Sequence, residues 1–98
     1  METPPPDPDG RPYVWLDFHA HGMPEVHLGL AGSLDSIKRQ GLRLADDMPI
    51  VVFDDDEDEW MLADAWVLQF DSERRHWLAR VDWSTFRRVP RVVKSPPS

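Results

Sequence analysis

Three apolar runs follow one another in the second half of the chain with only polar turns between them: MPIVVF (48–53), MLADAWVLQF (61–70) and WLARVDW (77–83). Runs of this length, rich in β-branched and aromatic residues and bounded by turn formers, are strands. In MPIVVF the apolar residues are continuous, the pattern of a strand buried on much of both faces. Pro49 has no N–H to give a ladder and belongs near a strand start or on an edge. In the second run Leu62, Trp66, Leu68 and Phe70 share one face, which Asp64 interrupts, so a bulge or a late strand start is expected there. In the third, Trp77, Ala79, Val81 and Trp83 point inward and Leu78, Arg80 and Asp82 outward. Trp66, Trp77 and Trp83 are therefore expected in the core. Ser84–Phe86 reads as one tight turn, and RRVPRVV as a short last strand ended at or just after Pro90.

The first half adds two strands and a helix. YVWLDFHAH (13–21) alternates, with Val14, Leu16, Phe18 and Ala20 on one face and Tyr13, Trp15, Asp17, His19 and His21 on the other. HGMP supplies a turn, and EVHLGL returns with Val26, Leu28 and Leu30 inward, which together predict a β-hairpin. AGSLDSIKRQGLRL reads as a short helix near 33–40. Ser33 is placed as its N-cap, Asp35 in the first turn, Lys38 and Arg39 in the last, and Gly41 as a left-handed cap followed by Leu42.

Five or six short strands with one short helix give a mainly β fold, a small partly open barrel whose layout resembles SH3-like barrels. The alternative is an antiparallel sheet with the helix packed on one face. The 98 residues suffice for a single globular domain, expected over 13–93. Residues 1–12 and 94–98 are Pro-rich and polar, the composition of disordered tails. Their PPP and PP runs also suit an aromatic groove that takes polyproline II.

Six acids in a row, Asp54, Asp55, Asp56, Glu57, Asp58 and Glu59, separate the first two apolar runs. Calcium would need a Gly at position 6 of an EF-hand loop and a Glu at position 12. Counted from Asp54 those positions hold Glu59 and Ala65, so the run reads as a solvated hairpin loop that also discourages edge-to-edge aggregation. Residues 1–73 carry 17 acids and 4 bases, residues 74–98 carry 7 bases and one acid, and the net charge is −7. The expected consequence is that the basic end folds back beside the acidic loop and screens it; the alternative is that it meets an acidic partner. The total argues against nucleic-acid and anionic-membrane partners.

His19, His21 and His27, with Glu25, fall on the polar face of the expected hairpin. Pairing Phe18 with Leu28 would set His19 opposite His27 and offer a zinc-type ligand set. Shifting the pairing by two residues separates them. Tyr13 and Trp15 lie on that same face and form either an exposed aromatic binding patch or a surface covered by the helix or last strand.

Nothing points to catalysis. There is no Cys, and Ser33, Ser36, Ser72 and Ser84 lack a nucleophile context. The five Gly are scattered, and the paired carboxylates lie in one exposed run. The expectation is a small, acidic, non-catalytic interaction domain without a cofactor, located in the cytoplasm and acting on another protein. Tyr13, Trp15 and Asp54–Glu59 are its candidate binding residues. The alternatives are a metal-binding protein using the hairpin histidines, and an acidic inhibitor or nucleic-acid mimic that occupies a basic site on a target.

Overall fold

The computed structural model describes residues 3–18 and 23–91. Among these, five strands and one helix follow in the order β1 (Tyr13–Trp15), β2 (Glu25–His27), α1 (Ala31–Gln40), β3 (Pro49–Asp56), β4 (Glu59–Asp71) and β5 (His76–Pro90). The strands form one sheet in the order β1-β3-β4-β5-β2. The sheet curls into a half-barrel, so the chain is mainly β, a small partly open barrel with one helix. No helix among the described residues is long and apolar enough to cross a membrane.

β1 and β2 do not form the expected hairpin. β1 runs parallel to β3, pairing Tyr13 with Val51 and Trp15 with Phe53, while β2 lies antiparallel to β5 at the opposite edge, pairing Val26 with Ala79. The alternation of YVWLDFHAH is a local signal and says nothing about which strand it will meet. The burial explains the outcome. Tyr13 and Val14 are both buried, as are Leu16 and Phe18, so β1 has apolar company on both faces. A two-stranded hairpin alone could not supply that.

β3 is buried on both faces as its continuous apolar run implies. Ile50, Val51, Val52 and Phe53 are each at most 1% exposed. Ile50 and Val52 point to the inner face with Val14, Leu16, Val26 and Val81. Val51 and Phe53 point outward and join Tyr13, Trp60 and Leu62 in a second cluster.

On β4 the expected faces are inverted. Ala63, Ala65 and Val67 fill the inner face, whereas Trp66 is 42% and Phe70 47% exposed. Ala and Val are small enough to line the concave side of a small curled sheet. Trp77 and Trp83 are half-buried against the margin of the core. The fully packed indole is Trp60, which the large neighbouring charge run concealed. The register shift anticipated at Asp64 is present, between Leu62 and Asp64, and a second lies between Val67 and Phe70. Ser84–Phe86 is not a turn between two strands. It is the looped-out part of one long β5 at that first shift, held by Thr85 Oγ1 donating to Asp82 O at 2.6 Å and the Asp64 N–H donating to Thr85 Oγ1 at 2.7 Å.

α1 begins two residues earlier than Ser33, with Leu30 at the N-cap and no side-chain cap. Ser33 has other work. Its hydroxyl donates to Trp15 O at 2.6 Å, the Trp15 N–H donates to Ser36 Oγ at 3.0 Å, and Gln40 Nε2 donates to Tyr13 O at 2.6 Å. Residues at i, i+3 and i+7 share one face of a helix. Here that face is polar and satisfies the outward backbone groups of edge strand β1, in place of a further strand. Gly32 lets the helix come this close, since a Cβ there would lie 2.6 Å from Trp15 Cε3. The C-terminus ends as expected. Gly41 is left-handed (φ 63°), and the Leu42 N–H donates to Ile37 O at 3.1 Å.

The Pro-rich N-terminal stretch makes specific contacts. Pro4 is buried, and the Tyr13 hydroxyl donates to Pro5 O at 2.6 Å. Arg11 pairs with Asp7 at 2.9 Å and with Asp64 at 2.9 Å, and Asp64 in turn takes Arg87 at 3.1 Å. This alternating chain of charges ties residues 7–11 to the outer face of β4.

Candidate functional site: an acid-rimmed barrel mouth

β3 carries the inner-face stripe Ile50, Val52, Asp54, Asp56, because successive strand residues alternate faces. The stripe passes from apolar to acidic as it leaves the core. Opposite Asp54 is Met61, and opposite Met61 is Arg88. With Trp15, Asp17 and Phe18 these residues enclose a cleft of about 590 Å³ at one end of the curled sheet. Mouths of β-barrels are common ligand sites. Its floor is apolar and aromatic, and its rim carries carboxylates.

Asp54 is built into the wall. Its Oδ1 accepts from Trp15 Nε1 at 3.1 Å and its Oδ2 from the Phe18 N–H at 3.1 Å. Burial pushes its carboxyl above the ordinary value. The Phe18 and Asp55 N–H groups pull it back down, while Asp55 and Asp17 add to the rise. The remaining acids are placed by alternation and by the basic end of the chain. Arg88 reaches Asp56 at 3.2 Å and Glu59 at 3.5 Å. Asp55, on the outer face, pairs with Arg91 at 3.7 Å, and Arg91 also lies over the Trp60 ring at 4.4 Å from its centroid. The expected fold-back of the basic end is thus present.

The run is also shorter as a loop than its charge suggests. β3 continues to Asp56 and β4 starts at Glu59, leaving only Glu57 and Asp58 as the turn. Those two are exposed and in no ion pair among the described residues.

Tyr13 and Trp15 are not an exposed patch. Tyr13 is 9% exposed, edge-on to Phe53 at 6.0 Å, and burial raises its phenol above the usual range. Trp15 is half-buried beneath Gly32 of α1, with its indole nitrogen on Asp54. The helix covers Trp15, whereas Tyr13 packs on Phe53 and meets Pro5 of the N-terminal stretch, and of the two only Trp15 lines the cleft. The structure therefore brings Trp15 together with Asp54–Asp56, while Tyr13 belongs to the outer cluster.

The expected metal ligands are His19, His21, His27 and Glu25. His19 and His21 lie outside the described residues. His27 does not face β1 at all. It stacks on His76 of β5 with centroids 4.7 Å apart and takes the Gly29 N–H on Nδ1 at 3.3 Å, while Glu25 is paired opposite Arg80. No group of three potential metal ligands converges among the described residues. Sequence reasoning missed the partnership of His27 with His76, since it depends on β2 crossing to the far edge.

No protein-family model matches the chain, and no curated protein or solved structure matches it at a significant level.

Proposed function

We propose that this chain is a small non-catalytic interaction domain whose acid-rimmed mouth takes a basic segment of another protein. One observation carries the reading. The rim already holds a guanidinium, that of Arg88 between Asp56 and Glu59, beside an aromatic and thioether floor of Trp15, Phe18 and Met61. An incoming Arg or Lys has the same charge complement and an apolar surface for its stem. The net charge of −7 favours a basic protein over nucleic acid. The lack of cysteine fits the cytoplasm. Pairing of Arg88 and Arg91 with the run lowers the charge it presents, which weighs against a nucleic-acid mimic.

The test uses a fluorescent arginine-rich peptide with wild type and with Asp17→Asn/Asp56→Asn, two acids that line the cleft. Binding that weakens steeply with salt and falls at least tenfold in the variant supports the reading. Equal binding by both proteins, or none by wild type at low salt, refutes it.

A further inference from the structure

We propose that the outer face of the sheet around Tyr13 is a groove for proline-rich segments, filled in cis by the chain's own Pro4–Pro6 and open in trans to such a segment of a partner protein. Consecutive prolines have φ fixed near −65°, so ordering them costs little entropy, and they dock on aromatic surfaces that offer a donor to their carbonyls. Each part of that arrangement is present. The Tyr13 hydroxyl donates to the Pro5 carbonyl at 2.6 Å. Pro4 is buried, while Pro5 and Pro6 remain exposed. Tyr13 is edge-on to Phe53 at 6.0 Å, and the two pack with Leu62 and with Trp60, whose ring Arg91 covers, in an apolar and aromatic cluster at most 9% exposed.

The acid that follows the prolines adds direction. Asp7 takes both the Arg11 backbone N–H and its guanidinium, and Arg11 is itself anchored on Asp64. Arg11 stays with the domain when the tail leaves. A partner segment with prolines followed by Asp or Glu would therefore find the same two contacts, a phenol for its carbonyl and a guanidinium for its carboxylate. This surface is separate from the acid-rimmed mouth, and the two proposals stand or fall independently.

A tethered segment competes at an effective concentration of about millimolar. Wild type should thus bind an added peptide weakly, in proportion to the fraction of time its own segment is away. The experiment compares full-length wild type with the full-length variant Pro4→Gly/Pro6→Gly/Asp7→Asn, which weakens the tail and leaves the groove intact. The probe is a synthetic peptide of residues 2–10, with a control in which its prolines are alanines. Signals of Tyr13 and Trp60 are followed by NMR. The expected result is saturable binding at least tenfold tighter in the variant than in wild type. The alanine peptide should bind at least tenfold more weakly, and adding Tyr13→Phe should weaken binding further. Unmoved Tyr13 and Trp60 signals in the variant, or equal binding of the alanine peptide, overturns the proposal. If the variant fails to fold, wild type decides. With the proline peptide raised several-fold above millimolar, the signals of the displaced residues 4–8 of wild type must move to those of a free tail, and their failure to do so overturns the proposal as well.

Discussion

Replacing Ser36 by Ala tests the polar clamp that α1 places on β1. Helix propensity alone favours Ala over Ser by roughly 0.5 kcal/mol, so a purely local view expects a small gain. The structure gives the opposite sign. Ser36 Oγ is the acceptor of the Trp15 N–H at 3.0 Å in a partly buried setting, and an edge-strand N–H left there without an acceptor costs about 1–3 kcal/mol. The net loss is therefore roughly 0.5–2.5 kcal/mol. Ser33→Ala removes the donor to Trp15 O, worth about 0.5–1.5 kcal/mol before the same offset, so its net effect is smaller. Because both hydroxyls serve one residue and Ser36 also donates to Ser33 O at 2.8 Å, the double variant should depart from additivity. Urea unfolding followed by tryptophan fluorescence measures all three. Lys38→Ala on the exposed face is the control and should shift stability by less than about 0.5 kcal/mol. Size-exclusion chromatography adds a second readout, since an unclamped edge strand favours self-association. If Ser36→Ala and Ser33→Ala prove as stable as wild type or more so, the hydroxyls do not hold the edge and the reasoning fails.

Gly32→Ala should destabilise by about 1–3 kcal/mol although Ala is the better helix former, because the new methyl would sit 2.6 Å from the Trp15 ring; a gain in melting temperature would contradict that contact. Trp60→Ala should cost about 3–5 kcal/mol, whereas Trp66→Ala, on a side chain 42% exposed, should cost far less, and denaturant melts giving equal losses would reverse the assignment of faces. Asp7 has its carboxyl held down to about 2, chiefly by its hydrogen bond from the Arg11 guanidinium. A depressed folded value means the contribution is complete above the unfolded value near 4 and is lost as pH falls toward 2. The stability difference between wild type and Asp7→Asn should accordingly be constant from pH 7 to about 5 and shrink below 4; a difference independent of pH would show that the pair contributes nothing. Arg75→Gly should stabilise by up to about 1 kcal/mol, since Arg75 adopts a left-handed backbone (φ 57°) that glycine adopts freely, and an unchanged or lower melting temperature would count against strain at that turn.

The parts of this fold that were legible in the sequence are those fixed by near neighbours along the chain. The unbroken apolar run of β3 implies two buried faces wherever the strand sits. Gly41 and Leu42 cap α1 through bonds to residues four and five positions back. Asp64 marks a change of register because a carboxylate cannot continue an apolar stripe, although the extra residues lie on β5 and its own strand runs on. What was not legible depends on distant partners. The pairing of β1 with β3 joins residues 38 apart, as Tyr13 with Val51, and nothing in YVW distinguishes a hairpin strand from a parallel edge strand. Ser33 has the chemistry of a cap, and its real partner, the carbonyl of Trp15, is visible only once α1 lies along β1. Trp66 reads as core because it shares a strand face with Leu62, Leu68 and Phe70, yet Ala63, Ala65 and Val67 take the inner face.

The acidic run shows how the two kinds of information combine. As a string of like charges it repels itself and reads as one solvated loop. Folding divides it by strand alternation instead. Asp54 and Asp56 fall on the inner face, where the first closes the barrel wall through Trp15 and Phe18 and the second meets Arg88. Asp55 falls on the outer face and meets Arg91. Only Glu57 and Asp58 remain a turn. The basic residues that make this division tolerable come from the far end of the sequence, so the charge asymmetry between 1–73 and 74–98 is a record of β5 returning along β4. The same return leaves the mouth acidic on the β3 side and basic at one point, Arg88. An incoming basic segment would therefore have to displace or share that guanidinium. The affinity of the mouth then rests on the competition between two cations for Asp56, and removing Arg88 as a side chain should strengthen binding of a basic peptide even as it weakens the fold.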